Sequence, residues 1–408
     1  MICGLLGEKL SHSYSPQIHN LLADYPYDLF EIKADQLKTF LTSFEFHGLN
    51  VTIPYKKAVI PYCQALSDQA KKLGAVNTVL RRSDGTLIGH NTDYFGFRSM
   101  ALRLGMDYAG KKVLVLGSGG ASNTVCAVME ELGANAIVIS RNGENNYKNL
   151  CQHSDCAVIV NATPVGMYPN TGISPVDLSI FPKLEAVLDL IYNPSKTKLL
   201  LDASARGIQT ENGLWMLVAQ AKESAEWFSG KAISDDRIPQ IYSILKKQME
   251  NIILIGMPGC GKSTVGKLLA EKLGKAFADA DSEIETLAGC PIPEIFHTQK
   301  EEGFRRLETQ VLSQLGKQSG KVIATGGGCV TREENFPLLR QNGYIIWLKR
   351  DVSFLSKEGR PLSQAADLQQ MYEKRRPMYQ SFADFSVENN GAVEDTVQRI
   401  IQKLEATV

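Results

Sequence analysis

Ile252-Ile253-Leu254-Ile255 runs without a break into Gly256-Met257-Pro258-Gly259-Cys260-Gly261-Lys262-Ser263-Thr264. Four consecutive apolar residues ahead of a glycine turn read as a buried parallel strand. The turn fits Gly-x(4)-Gly-Lys-[Ser/Thr], in which backbone N–H groups and the start of the next helix face a polyphosphate. Gly259, Cys260, Gly261, Lys262, Ser263 and Thr264 are therefore candidate nucleotide contacts. Lys262 brings positive charge to the β- and γ-phosphates, and Ser263 can ligate Mg²⁺. Taken alone, the same string is a glycine turn with an exposed lysine. The strand before it and the helical pattern after it make it one unit of a parallel α/β sheet.

A second glycine loop lies upstream. Val113-Leu114-Val115-Leu116 leads into Gly117-Ser118-Gly119-Gly120-Ala121-Ser122, which departs from Gly-x-Gly-x-x-Gly at its last position. The glycine spacing differs from that of the first loop, so the two imply different phosphate ligands and two enzymes in one chain. For a dinucleotide, the deciding residue lies about 20 positions on, where an acid would hold the ribose hydroxyls of NAD. Here Ala136-Ile137-Val138-Ile139 ends in Ser140-Arg141-Asn142, with no acid. Arg141 would pair with a 2′-phosphate, which favours NADP(H).

The chain has 408 residues, enough for two or three domains. Its 44 basic and 44 acidic residues leave no net charge, which argues against a nucleic-acid or anionic-membrane partner. No apolar run approaches the length of a membrane span. Met1 to Gly7 reads as a first strand rather than a signal peptide. The eight cysteines form no Cys-x-x-Cys pair, which disfavours zinc and fits reduced thiols in the cytoplasm. A hairpin is expected at Val79–Arg82 and Thr86–Ile88 around Ser83-Asp84-Gly85. Ser15 and Pro16 fit the N-cap and first turn of a helix from Gln17. Domains are expected at residues 1–100, 101–229 and 251–408. A helix at about 230–250 returns to the first of these, and the major boundary falls near Glu250.

Further motifs follow the Lys262 loop. They are Asp279-Ala280-Asp281 at a strand end, Phe304-Arg305 and Glu308 on a helix, Thr325-Gly326-Gly327-Gly328 after Val322-Ile323-Ala324, then Arg360-Pro361-Leu362 and Arg375-Arg376-Pro377. In order and spacing, residues 251–408 resemble shikimate kinase, a P-loop α/β domain using MgATP. The resemblance implies that Arg305 and Arg375 bind the substrate carboxylate, for which a bidentate guanidinium is well shaped. It makes Asp281 the group that accepts from the reacting hydroxyl, Gly327 a backbone donor to the ring, and Asp279 with Ser263 the Mg²⁺ site. Arg360 would be a lid arginine approaching the ATP phosphates. One departure stands out: Lys300-Glu301 replaces the family's Gly-Glu, away from the named ligands.

The first 250 residues carry Ser11-His12-Ser13-Tyr14-Ser15-Pro16, Asn50-Val51-Thr52-Ile53-Pro54-Tyr55-Lys56, Gly74-Ala75-Val76-Asn77-Thr78 and Gly89-His90-Asn91-Thr92-Asp93-Tyr94-Phe95-Gly96. Asn161-Ala162-Thr163-Pro164 and Asn212-Gly213-Leu214 to Gln220 come later. This set resembles shikimate dehydrogenase, which implies an α/β substrate domain joined to a Rossmann domain. By the resemblance, Ser13, Ser15 and Tyr192 bind the substrate carboxylate. Thr52, Asn77 and Gln220 bind ring hydroxyls, and Lys56 with Asp93 forms the catalytic pair. Gly117, Ser118, Gly119, Gly120, Ala121, Ser140, Arg141, Asn142 and Gly213 would contact the cofactor. An ammonium suits the chemistry, because hydride addition to a ketone builds alkoxide charge that a lysine can stabilise and protonate. The expected reactions are reduction of 3-dehydroshikimate to shikimate, then phosphorylation of the shikimate. Quinate as substrate, or NAD as cofactor, stays open at this level. A sensor without turnover would be expected to lack Lys56, Asp93, Lys262 or Asp281, and all four are present.

Overall fold

The computed structural model describes residues 1–10, 13–355 and 368–406. It divides into two compact units. One comprises Met1–Val165, Ser174–Tyr192 and Asp202–Ile244; the other comprises Gly166–Ile173, Asn193–Leu201 and Leu245–Val408. The division falls inside the helix Arg237–Met249, slightly ahead of the boundary expected near Glu250.

In the first unit, strands β1 (Cys3–Gly7), β2 (Tyr27–Glu31), β3 (Gly48–Val51), β4 (Ala65–Leu66), β5 (Thr78–Arg81) and β6 (Leu87–His90) form a mixed sheet. Its order is β2-β1-β3-β5-β6-β4. The expected hairpin is present as β5 and β6, antiparallel, with Leu80 opposite Ile88. Helix Ser15–Leu22 begins earlier than the sequence suggests. Tyr14, not Ser15, occupies the N-cap position, and the Ser13 hydroxyl instead accepts from the Ser15 amide at 3.2 Å. Proline tolerates either early helical position, so Pro16 alone could not fix the register.

Strands β7 (Lys112–Leu116), β8 (Asn135–Ile139), β9 (Val158–Asn161), β10 (Ala186–Asp189) and β11 (Gln209–Asn212) build a parallel sheet, ordered β11-β10-β9-β7-β8. In the second unit β12 (Asn251–Ile255), β13 (Ala276–Asp279), β14 (Lys321–Ala324), β15 (Gly343–Lys349) and β16 (Phe385–Glu388) form another, ordered β13-β14-β12-β15-β16. β7 and β12 each have neighbours on both sides, and the chain leaves them toward opposite sheet edges. A crevice opens at the carboxyl end of such a strand, and both glycine loops sit there. Helices Gly120–Glu131 and Lys262–Leu273 follow them directly. Ile252 to Ile255 are almost wholly buried in a large apolar cluster. At about 1.5–3 kcal/mol for each fully buried side chain, this strand anchors the loop that follows it. Among the described residues, no helix is long and apolar enough to cross a membrane.

Candidate active sites

Lys56 lies in the turn after β3. The Lys56 carbonyl accepts from the Val76 amide at 2.8 Å, and the buried Tyr55 beside it donates to the Ile32 carbonyl. The chain is thus held on both sides of the lysine. Asp93 opens the helix Asp93–Arg103, where the helix dipole favours a carboxylate. These two elements bring Lys56 Nζ to 2.6 Å from Asp93 Oδ2, with both side chains partly shielded from solvent.

The pair lines a cavity of about 300 Å³ shared with Ser13, Ser15, Thr52, Asn77, Tyr192, Gly213 and Gln220. Ala121 also lines it, beside Leu5, Asn50, Met216 and Leu217. Burial raises the Tyr192 phenol and Tyr14 adds to the rise; the two rings meet edge-on at 6.2 Å. Tyr192 is therefore a neutral hydrogen-bond donor at ordinary pH. Gly96 allows the helix carrying Asp93 to approach the helix Leu214–Ser229, which carries Gln220. A Cβ there would stand 2.8 Å from the Met216 carbonyl oxygen and 2.9 Å from Gln220 Cβ.

A second cavity in this unit, about 720 Å³, opens beside the β7 loop. Gly117, Ser118, Gly119, Ser140 and Arg141 line it with Tyr147, Thr163 and Pro164. Gly120 and Asn142 are not among its lining residues. The chain after β8 folds back on itself: the Ser140 amide donates to the Asn145 carbonyl at 3.1 Å, and Asn149 Nδ2 donates to the Glu144 carbonyl at 2.9 Å. Asn161 Oδ1 accepts from both the amide and hydroxyl of Thr163, which fixes the facing wall.

In the second unit a cavity of about 470 Å³ gathers Gly259, Gly261, Lys262, Ser263, Thr264, Asp281, Arg305, Gly327 and Arg375. Cys260 is fully buried beneath the loop and does not line it. Arg360 lies outside the described residues. Lys262 Nζ donates to the Gly256 and Met257 carbonyls at 3.0 and 3.1 Å, so the ammonium is held against its own loop. Ser263 Oγ donates to Asp279 Oδ2 at 2.5 Å, while Asp279 Oδ1 caps the next helix through the Asp281 amide. A hydroxyl and a carboxylate side by side are hard oxygen donors. They fit Mg²⁺, which takes few protein ligands and completes its shell with phosphate and water.

Arg305 is buried and pairs with Glu308 Oε2 at 2.7 Å and Glu301 Oε1 at 3.2 Å. Burial pushes the Glu308 carboxyl up against the pull of Arg305, and Asp281 nearby pushes the same way. Arg375 Nη1 donates to the Gly327 carbonyl at 3.2 Å, and the Tyr379 hydroxyl donates to the same oxygen. The glycine run is demanded by proximity. Side chains at Gly326, Gly327 and Gly328 would collide with Glu308, Pro258 and the Arg305 guanidinium respectively.

Similarity to known proteins agrees with this geometry. The sequence model of the shikimate dehydrogenase substrate binding domain matches residues 5–79, and that of shikimate kinase matches residues 258–405. Shikimate dehydrogenase (NADP(+)) of Clostridium perfringens strain SM101 is 38% identical over 266 residues, spanning 60% of this chain and 97% of that protein. The chain belongs to the shikimate dehydrogenase family and carries a shikimate kinase domain. Shikimate dehydrogenase 1 of Peptoclostridium difficile superposes with a TM-score of 0.55 at 41% identity, covering 60% of this chain and 97% of that one. The Thermus thermophilus enzyme, solved with NADP(H) and shikimate, superposes with a TM-score of 0.55 at 29% identity, covering 60% and 99%.

Within this shikimate dehydrogenase and kinase chain, several lining residues escaped the sequence reading. Tyr147 lines the cavity beside the β7 loop from an asparagine-rich stretch that has no periodicity to flag it. Glu308 was visible as a helical neighbour of Arg305, but only the fold shows it fully buried. Arg350 and Phe296 also line the kinase cavity. The Lys300-Glu301 departure also proves closer to the site than its sequence position suggests. Glu301 pairs directly with Arg305, because four residues along a helix bring side chains onto one face.

Proposed function

We propose that one chain performs two consecutive reactions on one small acid. The dehydrogenase half reduces 3-dehydroshikimate to shikimate with NADPH, and the kinase half phosphorylates shikimate to shikimate 3-phosphate with MgATP. What carries the reading is the Lys56–Asp93 contact at 2.6 Å inside a cavity that also holds Ser13, Ser15, Thr52, Asn77 and Gln220.

Ser13, Ser15 and Tyr192 supply hydroxyl donors for the substrate carboxylate. Thr52, Asn77 and Gln220 meet the ring hydroxyls. NADPH, when bound along Gly117–Gly119, Ser140 and Arg141, supplies the hydride. Lys56 delivers the proton to the ketone oxygen as alkoxide charge develops there, and Asp93 holds the ammonium in place. Arg141 receives the 2′-phosphate that distinguishes NADP from NAD.

In the kinase half Arg305 and Arg375 clamp the carboxylate, and Glu301 and Glu308 fix the Arg305 fork. Asp281 takes the proton of the 3-hydroxyl as that oxygen attacks. Lys262 turns from its loop carbonyls toward the phosphates. Ser263 and Asp279 would hold Mg²⁺, which when bound with ATP would neutralise phosphate charge, so the protein's task is positioning and electrostatic stabilisation. Eight free thiols and a neutral chain suit a cytoplasmic enzyme acting on small molecules, with no nucleic acid or membrane as partner.

Purified protein given 3-dehydroshikimate and NADPH should oxidise NADPH, and should form ADP once MgATP is added. NADPH oxidation without ADP would remove the kinase assignment, and neither signal would remove both.

A further inference from the structure

Behind the dehydrogenase cavity lies a set of polar side chains nearly sealed from solvent. Asn50, Thr78, Thr92 and Ser224 come from β3, β5, the turn before Asp93 and the helix Leu214–Ser229, and each is at most 5% exposed. Ser224 Oγ is their meeting point. It lies 2.7 Å from Asn50 Nδ2, 3.1 Å from Thr78 Oγ1, 3.0 Å from Thr92 Oγ1 and 2.9 Å from the Gln220 carbonyl oxygen.

The following proton ordering satisfies the set. The Tyr27 hydroxyl donates to Asn50 Oδ1 at 2.7 Å, and burial pushes this phenol well above its ordinary range, so it keeps its proton. Asn50 Nδ2 then donates to Ser224 Oγ. The Ser224 proton goes to the Gln220 carbonyl, which can only accept. With its own proton spent there, Ser224 Oγ accepts the Thr92 hydroxyl proton. Thr92 Oγ1 is left as the acceptor for Asn77 Nδ2 at 3.0 Å. Asn77 Oδ1 is occupied by the Thr92 amide at 2.7 Å and by the Thr78 hydroxyl at 3.1 Å. The protein thus consumes the carbonyl side of Asn77, and what remains for the cavity is N–H.

We propose that Ser224 is a positioning residue of the dehydrogenase: by accepting the Thr92 hydroxyl proton it keeps Thr92 Oγ1 as the acceptor that holds Asn77 Nδ2, in an amide whose Oδ1 the Thr92 amide already engages, so that the remaining N–H is aimed at one ring hydroxyl of the substrate, and its bond to the Gln220 carbonyl ties that setting to the helix carrying Gln220. This rests on the dehydrogenase reading above. It makes that half selective for a substrate whose oxygen accepts at this point. Without Ser224, the Thr92 proton can turn to Asn77 Oδ1, 3.2 Å away, or to Gln220 Oε1 at 3.4 Å; the Thr92 amide still marks Oδ1 as the acceptor, but the hold of Thr92 Oγ1 on Asn77 Nδ2 loosens.

The test is steady-state kinetics of Ser224→Ala in the full chain. The KM for shikimate should rise about 3- to 10-fold, the size of one lost neutral hydrogen bond, with kcat within about twofold and the KM for NADP unchanged. Thr78→Val, which removes a hydroxyl of the same set at nearly constant shape, should move the same constant in the same direction. An unchanged KM for shikimate, or equal rises in both KM values, would overturn the proposal. Should Ser224→Ala fail to fold, Thr78→Val decides by the same criteria. Wild-type protein without dehydrogenase activity would instead sink the underlying assignment, so the two failures are distinguishable.

Discussion

Lys300 has φ 59° and ψ −174°, and among the described residues it is the only non-glycine at positive φ. That region of backbone space is essentially reserved for glycine and costs a side-chain-bearing residue about 1–3 kcal/mol. The residue sits at a break inside the helix Ile292–Lys317, immediately before the Glu301 that pairs with Arg305. The sequence exposed the departure from Gly-Glu, but not the backbone conformation that makes it matter. Lys300→Gly should relieve strain and raise the urea stability of the kinase half by about 1–2 kcal/mol. A loss of stability would show that Lys300 makes compensating contacts. His19 is a second residue whose role only the fold reveals. It is buried, its Nδ1 lies 2.7 Å from the Tyr25 hydroxyl and its ring stacks on Tyr27 at 4.0 Å. Burial drives its pKa down to about 3, with Asn50 pulling weakly the other way. The unfolded chain therefore binds a proton below about pH 6.5 that the folded one refuses until about pH 3, so this histidine lowers stability as pH falls through that window. Between pH 7 and 5 the loss from this group should reach about 2 kcal/mol. Urea midpoints of dehydrogenase activity at the two pH values should converge in His19→Phe; an identical pH dependence in both proteins would contradict the assignment.

At the scale of elements, what the sequence revealed and what it hid divide by range. Strands followed by glycine loops were legible because an apolar run and a turn are local, and β7, β12 and the β5–β6 hairpin all appear where the pattern put them. Helix starts were less so, as Ser15 shows. Contacts between helices were not legible at all. The motif containing Gly96 is plain in the sequence, yet only the fold shows that Gly96 lets the Asp93 helix lie against Met216 and Gln220. Gly96→Ala should push these helices apart, costing about 1–3 kcal/mol of stability in the dehydrogenase half and moving Asp93 relative to Gln220. Dehydrogenase kcat/KM should fall while kinase activity stays near wild type. Unchanged dehydrogenase kinetics would mean that the helices absorb a methyl group without moving the site.

For the whole molecule, two glycine loops of different spacing foretold two nucleotide sites, and the structure gives each its own parallel sheet with the loop at a central strand. The interleaving of the compact units was not foretold. Segments Gly166–Ile173 and Asn193–Leu201 group with the second unit although they precede β12 by many residues, and no composition shift marks them. Shikimate links the two activities as the product of one and the substrate of the other. In the proposed mechanism Lys56 acts only in the first, so Lys56→Ala should separate them. Dehydrogenase turnover should fall about 10²–10⁴-fold in that variant, the usual cost of losing a general acid. The decisive measurement is ADP formation by Lys56→Ala with NADPH and MgATP, started from either acid. Wild-type-like ADP release from shikimate, and almost none from 3-dehydroshikimate, is the predicted result. Equal ADP release from both acids, or none from shikimate, would contradict it.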